Sequence, residues 1–142
     1  MTTIQQLSVF LENKSGRLTE VLEILDNEQI RIITLTIADT LEYGILRLIV
    51  SDPEKGYELL KLRDFRVSLT DVVTLQVSPS TASYAVILKK LSEAQLSVEY
   101  IYAFSSGQKS IIVLRADDHS KALDVVKNNR FAVIGKDELN RL

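Results

Sequence analysis

Sliding the chain against itself by 66 residues aligns its two halves without a gap, and this repeat limits the fold more than any other feature. Leu22, Leu25 and Gln29 meet Leu88, Leu91 and Gln95. Ile45, Leu48, Asp52 and Lys55 meet Ile111, Leu114, Asp118 and Lys121. Lys61, Phe65, Val67 and Asp71 meet Lys127, Phe131, Val133 and Asp137. Eleven identities at one constant offset, with conservative pairs such as Val21 with Ile87 between them, predict two copies of one unit. The copies join near Val72, giving domains 1–71 and 72–142.

In the first copy Leu7, Val9 and Leu11 alternate with Ser8, Phe10 and Glu12, the period of a strand with one buried face. Leu18, Val21, Leu22 and Leu25 then share one helical face. Ile30 to Ile37 reads as a strand, Leu41-Glu42-Tyr43-Gly44 as a turn, and Leu46, Leu48 and Val50 as the buried face of the next strand. Asp52-Pro53 is a helix start, Tyr57 and Leu60 point inward, and Phe65, Val67 and Leu69 close the unit. The second copy repeats the order. Its first helix follows Ser78-Pro79 with Tyr84, Ile87, Leu88 and Leu91 inward. Strands at 96–104 and 110–116 come next, then a helix started by Asp118 that buries Leu123 and Val126, and a last strand with Phe131 and Val133. The fold class is α+β: two ferredoxin-like βαββαβ units, each an antiparallel sheet with its helices on one face. A unit of this size is marginal alone, so the copies are expected to pack together.

The stretch from Leu11 to Leu18 passes from strand to helix. Gly16 relieves the tightest point, and Asn13 or Ser15 can cap the helix. Free N–H groups at such a start suit a small anion such as a carboxylate, although these eight residues alone demand no ligand.

Several functions lose support. A net charge of −2 with interspersed signs offers no reason to expect nucleic acid or a membrane as partner. The βαββαβ order also builds RNA-recognition modules, which need stacking aromatics on the outer sheet face. Ser8, Phe10, Glu12, Ile45, Arg47 and Ile49 in the first copy do not form such a platform, nor do Thr74, Gln76, Ser78, Ile111, Val113 and Arg115 in the second. The apolar residues on that face, with Tyr100 and Tyr102, suggest instead that it is covered, by a second chain or by a regulated protein. The absence of cysteine excludes disulfides and thiolate chemistry and fits a cytoplasmic protein, and no signal peptide or membrane span is visible. His119, the single histidine, reads as a solvated side chain. Asp117-Asp118 is too little for a metal, and no nucleophile or phosphate-loop motif occurs.

A strand, then Glu-Asn-Lys-Ser-Gly-Arg-Leu at 12–18, then an amphipathic helix, inside a tandem βαββαβ repeat, resembles the ACT domain. The likeness is greatest to ACT domains that regulate amino-acid biosynthetic enzymes, whose turn often reads Asn-x-Pro-Gly-x-Leu. Asn13, Gly16 and Leu18 fit that pattern, while Ser15 stands where proline is common. The resemblance covers nearly the whole chain. It implies units packed side by side into one eight-stranded sheet, with an amino acid bound at the seam between them. The ligand-holding turn would be Leu11, Glu12, Asn13, Lys14, Ser15, Gly16, Arg17 and Leu18, although the family often has a polar side chain where Leu11 stands. The opposing strand would supply Arg31, Ile33 and Thr34 or, from the second copy, Ser97, Glu99 and Tyr100. Turn N–H groups would take the ligand carboxylate, and the Asn13 carbonyl with nearby backbone carbonyls would take its ammonium. The second copy's turn, Ser78-Pro79-Ser80-Thr81-Ala82, lacks both asparagine and glycine and is expected to bind poorly or differently.

The resulting expectation is a free-standing regulator or sensor without enzymatic activity, metal or cofactor, which binds a small amino acid. It would be a homodimer and act in trans on a biosynthetic enzyme or other regulated protein. The alternative is a dimerisation or interaction module whose pocket is vestigial.

Overall fold

Helix ends show the repeat most directly. A computed structural model describes residues 3–12, 15–39 and 43–142. In it the non-glycine residues with positive φ are Gln29 (57°), Asp64 (66°), Gln95 (62°) and Arg130 (61°), two pairs at the repeat offset. Each follows a helix and lets the chain fold back onto it. The N–H groups of Ile30, Phe65, Leu96 and Phe131 donate to the carbonyls of Leu25, Leu60, Leu91 and Val126 at 3.0–3.1 Å. That is the Schellman arrangement, with an apolar residue placed just beyond each helix to pack against its last turn. Helix starts repeat as well: Asp52 Oδ1 accepts from Lys55 N–H at 3.2 Å, and Asp118 Oδ1 from Lys121 N–H at 3.1 Å.

The elements run β1 (Ile4–Glu12), α1 (Arg17–Asn27), β2 (Ile32–Asp39), β3 (Tyr43–Val50), α2 (Pro53–Leu62), β4 (Arg66–Val77), α3 (Thr81–Glu93), β5 (Val98–Ser106), β6 (Lys109–Ala116), α4 (His119–Asn128), β7 (Ala132–Val133) and α5 (Lys136–Asn140). They form two compact units, Gln5–Thr70 and Asp71–Leu142, with Thr3 and Ile4 joining the second. All eight strand segments of the repeat are present. The closing strand of the first unit and the opening strand of the second are one uninterrupted strand, β4, so the described residues hold seven strands.

In the first unit the strand order is β2-β3-β1-β4, and β3 pairs antiparallel with both β1 and β2. Leu7, Val9, Leu46, Leu48, Val21, Leu25 and Leu60 are buried together between sheet and helices. Ile24 joins this core, while Leu22, expected inward, is half-buried. In the second unit β4 lies between β7 and β6, and β5 pairs with β6. Val73, Leu75, Ile87, Leu91, Ile112, Leu114, Ala122 and Val126 form its core.

Several expectations shift. Leu88 is exposed rather than inward, and Ala122 takes the buried place expected for Leu123. The strand expected at Ile30–Ile37 runs Ile32–Asp39 because Ile30 is spent closing the helix before it. Of the predicted turn 41–44, Leu41 and Glu42 lie outside the described residues, while Tyr43 and Gly44 already belong to β3. β7 is only two residues long, and α5, unanticipated from the sequence, follows it.

Both edge strands leave apolar side chains open on the helix side. Leu35 lies opposite Leu48 and Ile101 opposite Leu114, yet these repeat equivalents are 40% and 38% exposed. The outer sheet face differs from expectation in the other direction. Ile49, Ile111 and Val113 are already buried within a single chain, as are Gln6 and Thr74. Gln6 Nε2 donates to Ser8 Oγ at 3.1 Å, and the Thr74 hydroxyl donates to the Ile134 carbonyl at 2.6 Å, so neither polar side chain is stranded. No helix among the described residues is long and apolar enough to cross a membrane.

Candidate functional site

The turn between β1 and α1 begins where Glu12 faces Tyr43 and ends at Arg17. Asn13 and Lys14, two of the expected ligand contacts, lie outside the described residues. Ser15 and Gly16 are exposed. Gly16 is the residue before the first helical turn, with φ 88° and ψ −6°, and its carbonyl accepts from Glu20 N–H at 3.0 Å. No side chain caps this helix among the described residues, so the capping expected of Ser15 does not occur. An added Cβ at Gly16 would meet nothing within 4 Å among the described residues. The glycine therefore answers a left-handed backbone rather than a crowded neighbour.

Around it, Leu11 is buried in the core, so only its backbone reaches the turn, and Leu18 packs against the same core. Arg17 is held in place. Its guanidinium carbon lies 4.2 Å above the centre of the Phe65 ring, and its Nη1 is 3.1 Å from Glu20 Oε2. Its Nε is buried without a hydrogen-bond partner among the described residues. The local arrangement is a helix start with no side-chain cap among the described residues, beside a positioned guanidinium.

The equivalent turn of the second unit is built otherwise. Ser80 Oγ accepts from Ser83 N–H at 3.2 Å, and Ser83 Oγ lies 2.8 Å from Ser80 Oγ and 2.6 Å from Ser78 Oγ. Thr81 and Ala82, the repeat equivalents of Ser15 and Gly16, are already helical, so α3 starts two residues early. The Tyr84 hydroxyl, 2.6 Å from Ser110 Oγ, ties that helix start to β6.

The expected strand residues sit away from their own turns. Leu7 faces Leu48, which faces Leu35, whereas the turn follows Glu12, five residues along. Arg31, Ile33 and Thr34 therefore lie about 17 Å or more along the sheet from the turn of their own unit. Arg31 N–H donates to the Ser51 hydroxyl oxygen, and Ser51 N–H donates to the Arg31 carbonyl, both at 2.9 Å. Its equivalent Ser97 does the same with Asp117, both at 3.0 Å. A bulge in each edge strand, between Ile32 and Thr34 and between Val98 and Tyr100, leaves one extra residue in each, Ile33 and Glu99. Glu99 reaches Arg115 Nε at 3.4 Å, and Tyr100 lies across from Arg115.

His119 is less solvated than expected. Its Nδ1 is buried with no partner among the described residues, and its Nε2 is 3.4 Å from Thr3 Oγ1. Burial holds its pKa below the ordinary value, Arg115 adds to that, and Asp71 and Asp118 oppose it. Among the described residues no cluster of three or more His, Asp or Glu side chains is arranged to hold a metal.

The family description that matches is "ACT domain pair", over residues 1–142. A crystal structure of a Bacteroides thetaiotaomicron protein is 40% identical, with TM-score 0.92, over 99% of this chain and 98% of that one. The ligand-free regulatory subunit of aspartate kinase from Thermus thermophilus shares the fold at 14% identity and TM-score 0.62, over 87% of this chain and 91% of that one. Aspartate kinase from Clostridium acetobutylicum, described as an allosteric enzyme, matches at 14% identity and TM-score 0.53, over 89% of this chain but 33% of that one. No curated protein matches.

Proposed function

The chain belongs to the ACT-domain family, as a domain pair over residues 1–142, and on that premise we propose that it is an amino-acid-binding regulator acting on a separate partner protein. The observation that carries this reading is the start of α1, where no side chain occupies the helix N–H groups among the described residues. Those groups, with the fixed charge of Arg17 beside them, suit the carboxylate of an amino acid. Asn13 to Gly16 form the centre of the proposed site, with Leu11, Glu12, Arg17 and Leu18 around it. An edge-strand start of another ACT unit completes it, either Arg31, Ile33 and Thr34 or Ser97, Glu99 and Tyr100.

The self-capped start of α3 supports a single competent turn per chain. A ligand that touches two units favours one mutual arrangement of them, and that preference is the regulatory signal. The likeness to a regulatory subunit of aspartate kinase supports the reading of a non-enzymatic regulator whose partner is a biosynthetic enzyme. We also read the chain as a homodimer, in keeping with the open apolar side chains of both edge strands.

Thermal unfolding in the presence of each standard amino acid tests the proposal. One or a few should raise Tm selectively, by an increment that grows with concentration. The same open edges also favour a second reading, an interaction module with a vestigial pocket. That reading predicts a flat response across the whole set.

A further inference from the structure

β1 begins in one compact unit and continues in the other: Thr3 and Ile4 belong with Asp71–Leu142, and the first unit starts at Gln5. The chain therefore crosses between the units twice, at Ile4 to Gln5 and at Thr70 to Asp71. Polar side chains of the second unit hold it at both places. Arg115 Nη1 donates to the Asp71 carbonyl at 2.8 Å, and Arg115 Nε lies 3.4 Å from Glu99 Oε1. His119 Nε2 lies 3.4 Å from the hydroxyl of Thr3, the residue just before β1. The fold does not require this cluster. At the repeat-equivalent positions the first unit has Ile33, Ile49 and Pro53 in place of Glu99, Arg115 and His119, and it starts the same helix from Asp52.

The surroundings of the His119 ring suit its neutral form. Nδ1 is buried with no hydrogen-bond partner among the described residues. In the neutral ring Nε2–H can donate to the Thr3 hydroxyl oxygen and leave Nδ1 as a bare acceptor. A second proton would make Nδ1 a charged donor without an acceptor, which is far more costly to bury than a neutral lone pair. The charged neighbours come from three elements. Asp71 in β4 and Asp118 at the start of α4 favour the charged ring, and Arg115 in β6 opposes it. Burial outweighs the two acids.

We propose that His119 and Thr3 form an acid-sensitive latch, closed while the ring is neutral, that fastens the entry of β1 to the second unit. Proton uptake turns the ring to bring Nδ1–H to water or to the Asp71 or Asp118 carboxylate. The same turn takes Nε2 away from Thr3. The first crossing loosens, while Arg115, which stays charged, keeps its hold on the Asp71 carbonyl. The latch lies at the opposite end of β1 from the candidate amino-acid turn and needs no ligand there.

Nuclear magnetic resonance of the full chain, titrated downwards from about pH 7.5 until the His119 ring has charged, tests it. The ring should titrate below 6.5. The order parameter of the Thr3 backbone N–H should fall with the same midpoint, from about 0.85 to below about 0.6. His119→Gln keeps a donor but cannot titrate, so the order at Thr3 should lose its dependence on pH. Thr3→Val removes the partner of the neutral ring, so the His119 midpoint should rise towards 6.5. Both residues are half-exposed, and neither substitution reaches a core. A Thr3 that stays ordered while His119 titrates overturns the latch, as does loosening that persists in His119→Gln or a midpoint unmoved by Thr3→Val. No ligand enters the experiment, so its outcome is independent of the amino-acid proposal.

Discussion

At the start of α1 the chain takes a left-handed turn at Gly16, and no side chain closes the helix among the described residues. At the start of α3 the chain goes straight into helix two residues sooner, and three serine hydroxyls close on one another there. Both helices sit at the same place in a repeated fold, so the fold does not dictate how either begins. An N-cap serine contributes about 1 kcal/mol. Among its described residues the first unit shows no such cap, and it keeps a glycine turn that loses more conformational freedom on folding than other residues would. Retained polar groups without a partner are what a ligand site requires, and a self-satisfied serine cluster is what a purely structural turn looks like.

The largest effect should come from removing the special backbone. Gly16→Val puts a β-branched residue at φ 88°, a strain of about 1–3 kcal/mol. It should also abolish ligand stabilisation, which for the wild type reaches about 2.7 kcal/mol at a hundredfold excess over Kd. Denaturant unfolding with and without the amino acid measures both. A variant that loses stability yet keeps the full ligand increment would remove the site from this turn.

Next comes the opposite turn. Ser80→Ala should cost about 1 kcal/mol and leave the ligand increment unchanged. If the increment fell with it, the second turn would be part of the site and the contrast between the turns would fail. Smaller again, Arg17→Lys keeps the charge but loses the planar contact with Phe65, for about 0.5–1 kcal/mol in denaturant unfolding.

The smallest effect concerns the second unit and pH. Because burial lowers the His119 pKa in the folded chain, the unfolded chain takes up the proton first as pH falls. His119 should therefore contribute fully above its ordinary value of 6.5, and that contribution should fade as pH drops through the depressed value. His119→Gln should flatten this part of the stability profile. An unchanged profile would place the histidine in solvent, as first expected.

Much of this was legible in the sequence because local signals agreed with the repeat. Asp52-Pro53 and Asp118 declared their helices, and the matched Gln29 and Gln95 stand where both helices turn back through a left-handed residue. What escaped was set by tertiary context. Two strands of opposite units became one because nothing between Arg66 and Val77 breaks the extended run, with no glycine or proline in it. Leu88 reads as inward by helical spacing, yet Ile87 and Leu91 already fill the face that meets the sheet. His119 follows an ordinary capping aspartate, and residue spacing does not show that Thr3, more than a hundred residues away in sequence, lies 3.4 Å from its Nε2. At the candidate site the glycine was legible but its reason was not. The expected need for missing bulk is in fact a need for positive φ, which no spacing of residues reveals.

The central claim is one competent amino-acid turn per chain, and calorimetric titration of the wild-type chain with the amino acid that raises Tm most tests it directly. The account predicts saturable binding of one ligand per chain, lost in Gly16→Val and kept in Ser80→Ala. Two equivalent ligands per chain, or binding that survives Gly16→Val and disappears in Ser80→Ala, would contradict it.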